Sequence, residues 1–218
     1  MDFAFSAEQD DLRREARAFL ESNPEPTMEQ LEELGWVGIV ASDEFTFLDA
    51  AVLFEELGRV LYEGPYVDQE LGDAADARRR VALALEAVGI GSKALELALD
   101  YAKEREQFGR KIGAYQAISH SLVDGYIALE LARSLAYWAA WCVAEGDAQA
   151  EIAAMAAKAQ AGEAAVLACE KSIQAHGGIG FTWEHPLHRY YKRALWLEGA
   201  LGYGREQRAE VARFLLSS

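Results

Sequence analysis

Apolar residues recur at helical spacing almost from the first residue. Ser6-Ala7-Glu8-Gln9 reads as a capping box, with Ser6 as N-cap and Gln9 three positions on. Leu12, Ala16, Phe19 and Leu20 continue the pattern, and Asn23-Pro24 and Pro26 end it. Thr27-Met28-Glu29-Gln30 repeats the capping device, with Gly35 as the residue beyond the helix end. Trp36 to Val40 is short, apolar and β-branched, and reads either as an extended connector or as a buried strand. A third helix is predicted from Thr46 to Tyr62, where Leu48, Val52, Leu53, Glu55, Leu57 and Val60 form the inward stripe. Gly64-Pro65 closes it, and residues 66–73 read as an acidic connector.

Beyond this point the pattern changes to long helices rich in alanine and leucine. Ala74 to Arg105 fits one helix, roughly 45 Å long at 1.5 Å per residue. Phe108-Gly109 and Gly113 interrupt the pattern before a second long helix from Tyr115 to Ala144. Glu145-Gly146-Asp147 breaks that one, and a third runs from Ala148 to about His176, ending at Gly177-Gly178-Ile179-Gly180. Shorter helices fit Pro186 to Leu197 and Gly204 to Leu215. Helices that are apolar on more than one face must pack against several neighbours. A bundle that associates with further chains is the expectation, and without a run of alternating strands the class is all-α.

Composition divides the chain at the same place. The net charge is −15, from 36 acids and 21 bases in 218 residues. Residues 1–73 carry 19 acids against 4 bases, whereas residues 74–218 carry 17 of each. The whole excess therefore belongs to an amino-terminal acidic helical domain, 1–73, ahead of a charge-balanced carboxy-terminal helical domain, 74–218. An acidic first third argues against binding nucleic acid or an anionic membrane through that part. Met1 to Phe5 lacks a basic stretch, apolar runs stay short of a membrane span, and Cys142 and Cys169 sit in helical stretches as buried thiols. These features lead us to expect a cytoplasmic protein.

Candidate chemistry is sparse. His120, His176, His185 and His188 make no metal spacing with a third ligand, and neither a nucleophile–base set nor a phosphate loop stands out. Gly177-Gly178-Ile179-Gly180 follows a helix instead of a strand, so it is not a dinucleotide fingerprint of the strand–turn–helix kind. Two segments carry more. One is Lys103 to Gly113, with Tyr115-Gln116-Ala117 after it, and the other runs from Gln174 to Arg189. Each joins a helix end to glycines and to guanidinium or amide donors, which suits an anionic, aromatic ligand. The same glycines also read as plain helix C-caps with polar surface residues beside them.

These motifs resemble the acyl-CoA dehydrogenase family. Arg105-Glu106-Gln107-Phe108-Gly109 and Gln174-Ala175-His176-Gly177-Gly178-Ile179-Gly180 are similar to paired motifs of its carboxy-terminal helical domain. The stretch from Phe3 to Gln9, Glu33-Leu34-Gly35-Trp36 and Phe54-Glu55-Glu56-Leu57-Gly58 resemble its first helical domain. The resemblance implies FAD shared across a subunit interface. Arg105 would meet the pyrophosphate, with Gln107 as a polar contact and Phe108 against the adenine end. Gln116 would lie close to the cofactor, and Gln174, Gly177 and Gly178 would supply an amide and close backbone approach.

It also implies what is missing. The family's middle β-barrel belongs near residues 64–76, where only a short connection stands. The family's catalytic glutamate falls at Leu201, and the alternative site used by some members falls near Arg79, so no catalytic base is expected. Glu198, one turn before Leu201, is the nearest carboxylate to the first position. The resemblance thus implies a reduced, non-catalytic subunit of a heteromeric acyl-CoA dehydrogenase, of the α2β2 kind acting on steroid side-chain CoA esters. A full-length partner would hold most of the acyl-CoA. The competing expectation is a structural or regulatory helical protein that no longer binds flavin.

Overall fold

A computed structural model describes residues 5–73 and 76–217. Three helices, α1 (Ala7–Ser22), α2 (Met28–Glu33) and α3 (Phe47–Arg59), are followed by a short α4 (Tyr66–Leu71). The long helices α5 (Ala77–Glu104), α6 (Gln116–Ala144) and α7 (Ala150–His176) come next, then α8 (Leu187–Gly199) and α9 (Gly204–Ser217). The all-α class and the lack of a β-barrel hold among the described residues, where the strands are β1 (Glu106–Gln107) and β2 (Arg110–Lys111) of one small hairpin.

The local signals place the helix starts well. Ser6 and Gln9 exchange backbone and side-chain hydrogen bonds at 3.1 and 3.2 Å, and Thr27 and Gln30 do the same at 2.9 and 3.3 Å. Other expectations need correction. Trp36 to Val40 forms no strand, since Gly38 takes a left-handed φ of 82° and the chain enters a 3-10 turn at Ile39–Ala41. Helix α5 is described from Ala77, with the Asp76 carboxylate accepting from the Arg79 N–H, while the expected start at Ala74 lies outside the described residues. Phe3 of the amino-terminal motif lies outside them too.

The acidic connector is not a passive tether. Its helix α4 folds back so that the Tyr66 hydroxyl donates to the Trp36 carbonyl at 2.7 Å, fully buried. The Glu70 carboxylate accepts from the N–H groups of Gly38 and Val40, covering the exposed start of the 3-10 turn. Asp68 pairs with Arg79 of α5 at 2.5 Å. Both ends of the short connection are therefore integrated into the packing around them.

Helix α7 lies in the middle, packed by α5, α6, α8 and α9, and its exposed residues are Glu151, Glu170 and Gln174. Ala153, Ala154, Ala157, Ala161, Ala165 and Ala168 are fully buried, and such small side chains let neighbouring helices come close. The tightest approach joins the amino-terminal helices to the rest. A Cβ on Gly58 of α3 would lie 2.3 Å from the Glu86 carbonyl oxygen, and one on Gly89 of α5 would lie 2.1 Å from that of Glu55. Each helix thus accepts the other's backbone at a glycine. Beside that crossing, buried Glu55 accepts from Arg133 Nε at 2.9 Å and from the Tyr137 hydroxyl at 2.7 Å. Glu56 accepts twice from Arg17 of α1, at 2.9 and 2.6 Å. Buried carboxylates persist only when paired and hydrogen-bonded in this way.

Candidate functional site

The site forms where α5 and α7 end side by side. Leaving α5, Arg105 turns extended and the chain doubles back through the hairpin, pairing Glu106 with Lys111 and Gln107 with Arg110. Phe108 and Gly109 at its tip take φ values of 52° and 78°. Two consecutive left-handed residues make the tight hairpin turn whose twist matches that of its strands. The Phe108 ring, consequently, is 94% exposed.

Tyr115 braces this finger from below. Its hydroxyl donates to the Gln107 carbonyl at 2.9 Å, and its ring meets Phe108 edge-on at 6.4 Å while carrying the Arg110 guanidinium 3.9 Å above its centroid. Sequence reasoning gave Tyr115 no role. Only the return of the hairpin over the start of α6 brings the two together.

The opposing wall is the carboxy-terminal end of α7. Gln174 is exposed, and Gly177 ends the helix at φ 66°, a conformation costly for other residues. Between them His176 is buried, its ring stacked on Tyr101 of α5 at 4.4 Å with His185 4.3 Å away on another side. Its Nδ1 lies 2.8 Å from the Ser172 carbonyl. Burial pulls the His176 pKa below the usual histidine value, which keeps the ring neutral near pH 7.

Between the walls runs an open, mainly apolar groove of about 420 Å³. Arg105, Gln107, Phe108, Gln174 and Gly177 all line it, so five of the seven predicted cofactor-contact residues meet around one space although up to 72 positions separate them. Gln116 and Gly178 do not line it. Gln116 is exposed as the first residue of α6, and Gly178 lies one step beyond the rim. Arg105 and Gln174 have no hydrogen-bond partner for their side chains among the described residues, which leaves a guanidinium and an amide at the groove with unused donors. Tyr101, Tyr115, Ile118 and His176 also line it and were not singled out as contacts from the sequence.

The two positions that could hold a catalytic carboxylate lie elsewhere. Arg79 sits in the first turn of α5, roughly 39 Å of helix away from Arg105, and pairs with Asp68. Leu201 occupies the turn between α8 and α9 at a left-handed φ of 55°. Buried Lys158 holds that turn by donating to the carbonyls of Glu198 and Gly202 at 2.8 and 3.2 Å. His185 and His188 serve the start of α8: His185 Nδ1 accepts from the Leu187 N–H, and His188 Nδ1 meets the His185 carbonyl.

Comparison with known proteins agrees with this architecture. A profile of the family described as "Acyl-CoA dehydrogenase, C-terminal domain" matches residues 77–216. The acyl-CoA dehydrogenase IpdE2 of Mycobacterium tuberculosis is 42% identical over 114 residues, which are 52% of this chain and 34% of that protein. The probable acyl-CoA dehydrogenase YngJ of Bacillus subtilis is 40% identical over 137 residues, 63% of this chain and 36% of that protein. The chain thus spans about a third of the length of these relatives. Among solved structures, a chain of the Tcur3481–Tcur3483 steroid ACAD G363A variant superposes with a TM-score of 0.84 at 20% identity, covering 96% of this chain and 98% of that one. A chain of the ChsE4–ChsE5 complex from Mycobacterium tuberculosis gives 0.82 at 19% identity, covering 100% of both. At such identities the likeness is one of fold.

Proposed function

Because the chain belongs to the acyl-CoA dehydrogenase family, we propose that it is the non-catalytic subunit of a heteromeric, FAD-dependent member of it. It would contribute one half of the flavin site to a full-length partner. The observation that carries this reading is a division within the chain. The groove keeps Arg105, Gln107, Phe108, Gln174 and Gly177 together, while the base positions hold Arg79 and Leu201.

The groove fits the adenosine diphosphate end of such a cofactor. Arg105 offers a forked set of donors suited to a diphosphate, Gln174 a further amide, and Phe108, Tyr115 and Ile118 flat or apolar walls for a base. The groove is open on one side, which accords with the ring end being held by another chain. When bound, FAD would supply the hydride acceptor. This chain's own residues bind and orient the diphosphate end and keep water from one side of it. Neither Arg79, tied to Asp68, nor Leu201 can take a proton from a thioester, so the partner supplies the base and the acyl-CoA pocket. The solved relatives named as a steroid enzyme and as a two-protein complex favour an α2β2 assembly acting on a bulky acyl-CoA.

Coexpression with a full-length family member tests the reading, with native mass spectrometry to report stoichiometry and bound flavin. The expected result is a yellow complex holding one FAD per pair of unlike chains, and a colourless, inactive protein when this chain is expressed alone. Within the complex, Arg105→Ala loses a charge-assisted bond of about 1.5–3 kcal/mol, so flavin retention falls roughly ten- to hundredfold. A yellow homo-oligomer that oxidises acyl-CoA unaided would overturn the proposal. Absence of flavin with every partner would leave the structural, flavin-free alternative standing.

A further inference from the structure

We infer that His176 selects the base held in the groove, accepting a hydrogen bond from the exocyclic amino group of adenine. The inference rests on the reading of the groove as a site for adenosine diphosphate and names the group that would make that site specific.

The argument begins with a carbonyl. Ser172 O can only accept, so the 2.8 Å contact requires His176 Nδ1 to carry the proton. A neutral imidazole protonated at Nδ1 has its lone pair on Nε2. The ring cannot turn away to offer another edge, because Tyr101 stacks on one face, nearly parallel at 18°, and His185 packs on another side. His176 is 6% exposed, yet it lines the groove, and Nε2 has no hydrogen-bond partner among the described residues. Nε2 is not among the sealed, unpartnered polar atoms of the interior. A fixed, nine-tenths buried acceptor on a residue lining a groove with flat aromatic walls suits a planar ligand with an N–H donor on its edge.

Of the other polar groups lining that space, Arg105 only donates and suits phosphate oxygens, the amide of Gln174 can donate or accept, and the Gln107 amide and Tyr115 hydroxyl donate to backbone carbonyls of the hairpin. Adenine carries an amino group at its sixth position, whereas hypoxanthine has a carbonyl oxygen there, which would face the Nε2 lone pair acceptor to acceptor. Losing one hydrogen bond and leaving its buried acceptor unpaired corresponds to a discrimination of about tenfold.

The test uses the full chain with ADP and inosine diphosphate, titrated separately by calorimetry or ligand-observed NMR. Wild type is expected to bind ADP about tenfold more tightly than inosine diphosphate. His176→Phe keeps the stacking on Tyr101 and should bring the two affinities together, mainly by weakening ADP. His176→Gln, which restores an acceptor, should recover part of the preference. A second measurement covers the case in which His176→Phe fails to fold: the ¹⁵N resonance of the unprotonated Nε2 in wild type should move upfield on adding ADP and stay in place with inosine diphosphate. Equal affinities in wild type, or a preference that survives in His176→Phe, overturn the inference while leaving the groove a diphosphate site. Failure of wild type to bind either nucleotide overturns both the inference and the reading beneath it.

Discussion

The phenol of Tyr115 and the backbone of Gln107 are joined by a hydrogen bond of 2.9 Å that ties the base of α6 to the rising strand of the hairpin. The bond matters because the hairpin has only two residues per strand, and so short a ribbon is not stable unaided. Tyr115→Phe keeps the ring contacts with Phe108 and Arg110 but frees the carbonyl. We expect faster amide exchange confined to residues 105–112, a melting temperature lowered by no more than a few degrees, and ADP binding weakened severalfold. Unchanged exchange in the hairpin would show that the strands hold themselves.

The crossing of α3 and α5 leaves no room for a methyl group. In Gly89→Ala the new Cβ would meet the Glu55 carbonyl oxygen at 2.1 Å, and backbone on both sides prevents relief by a rotamer change. The substitution is expected to cost about 3 kcal/mol or more, at the upper end of overpacking effects. Urea denaturation would show it, and a loss below about 1 kcal/mol would mean that the helices can separate cheaply.

Glu55 is the hub of a buried cluster, bonded to Arg133 and Tyr137 and 3.7 Å from Arg13. Glu55→Leu would take from Arg133 its buried carboxylate partner, leaving it Glu130 and Ser92, and would leave the Tyr137 hydroxyl proton without its acceptor. Losing a hydrogen bond to a charged group typically costs about 1.5–3 kcal/mol, and that is the loss expected here. Glu55→Leu combined with Arg133→Met should recover much of it, measurable as a coupling energy between the two positions.

The turn carrying Leu201 depends on Lys158, whose pKa burial lowers to about 8 from 10.5. Since the unfolded chain holds that proton to higher pH than the folded one, stability contributed by this group rises as pH passes from 8 towards 10.5. The tyrosines and cysteines act in the opposite sense, but equally in wild type and in Lys158→Met. The stability difference between the two should therefore shift in favour of wild type by about 2 kcal/mol between pH 7 and pH 9.5. A difference that does not vary with pH in paired urea titrations would show that the ammonium is as well solvated folded as unfolded.

Legibility from the sequence tracked the range of the interactions involved. Ser6 with Gln9 and Thr27 with Gln30 were readable as helix starts because each bond spans three residues. Residues 66–73 read only as an acidic connector because nothing within them reveals that Tyr66 will find Trp36, 30 positions away, or that Glu70 will cover the turn at Gly38. The apolar content of Trp36 to Val40 admits an extended connector or a buried strand, and the left-handed Gly38 excludes the strand.

For the site, the residue types and their two segments were visible in the chain, as was the absence of a carboxylate at Arg79 and Leu201. Those are statements about identity, and identity is what a sequence determines: how each helix begins and ends, which donors exist, which acids do not. Only the tertiary structure decided that Arg105 and Gln174 share one groove, that Tyr115 braces Phe108, and that Tyr101 and His185 hold the His176 ring. Those outcomes follow from α5 and α7 ending side by side, with the buried alanines of α7 letting its neighbours come close. Packing of that kind arises between residues far apart in the chain, and short-range pattern holds no record of it.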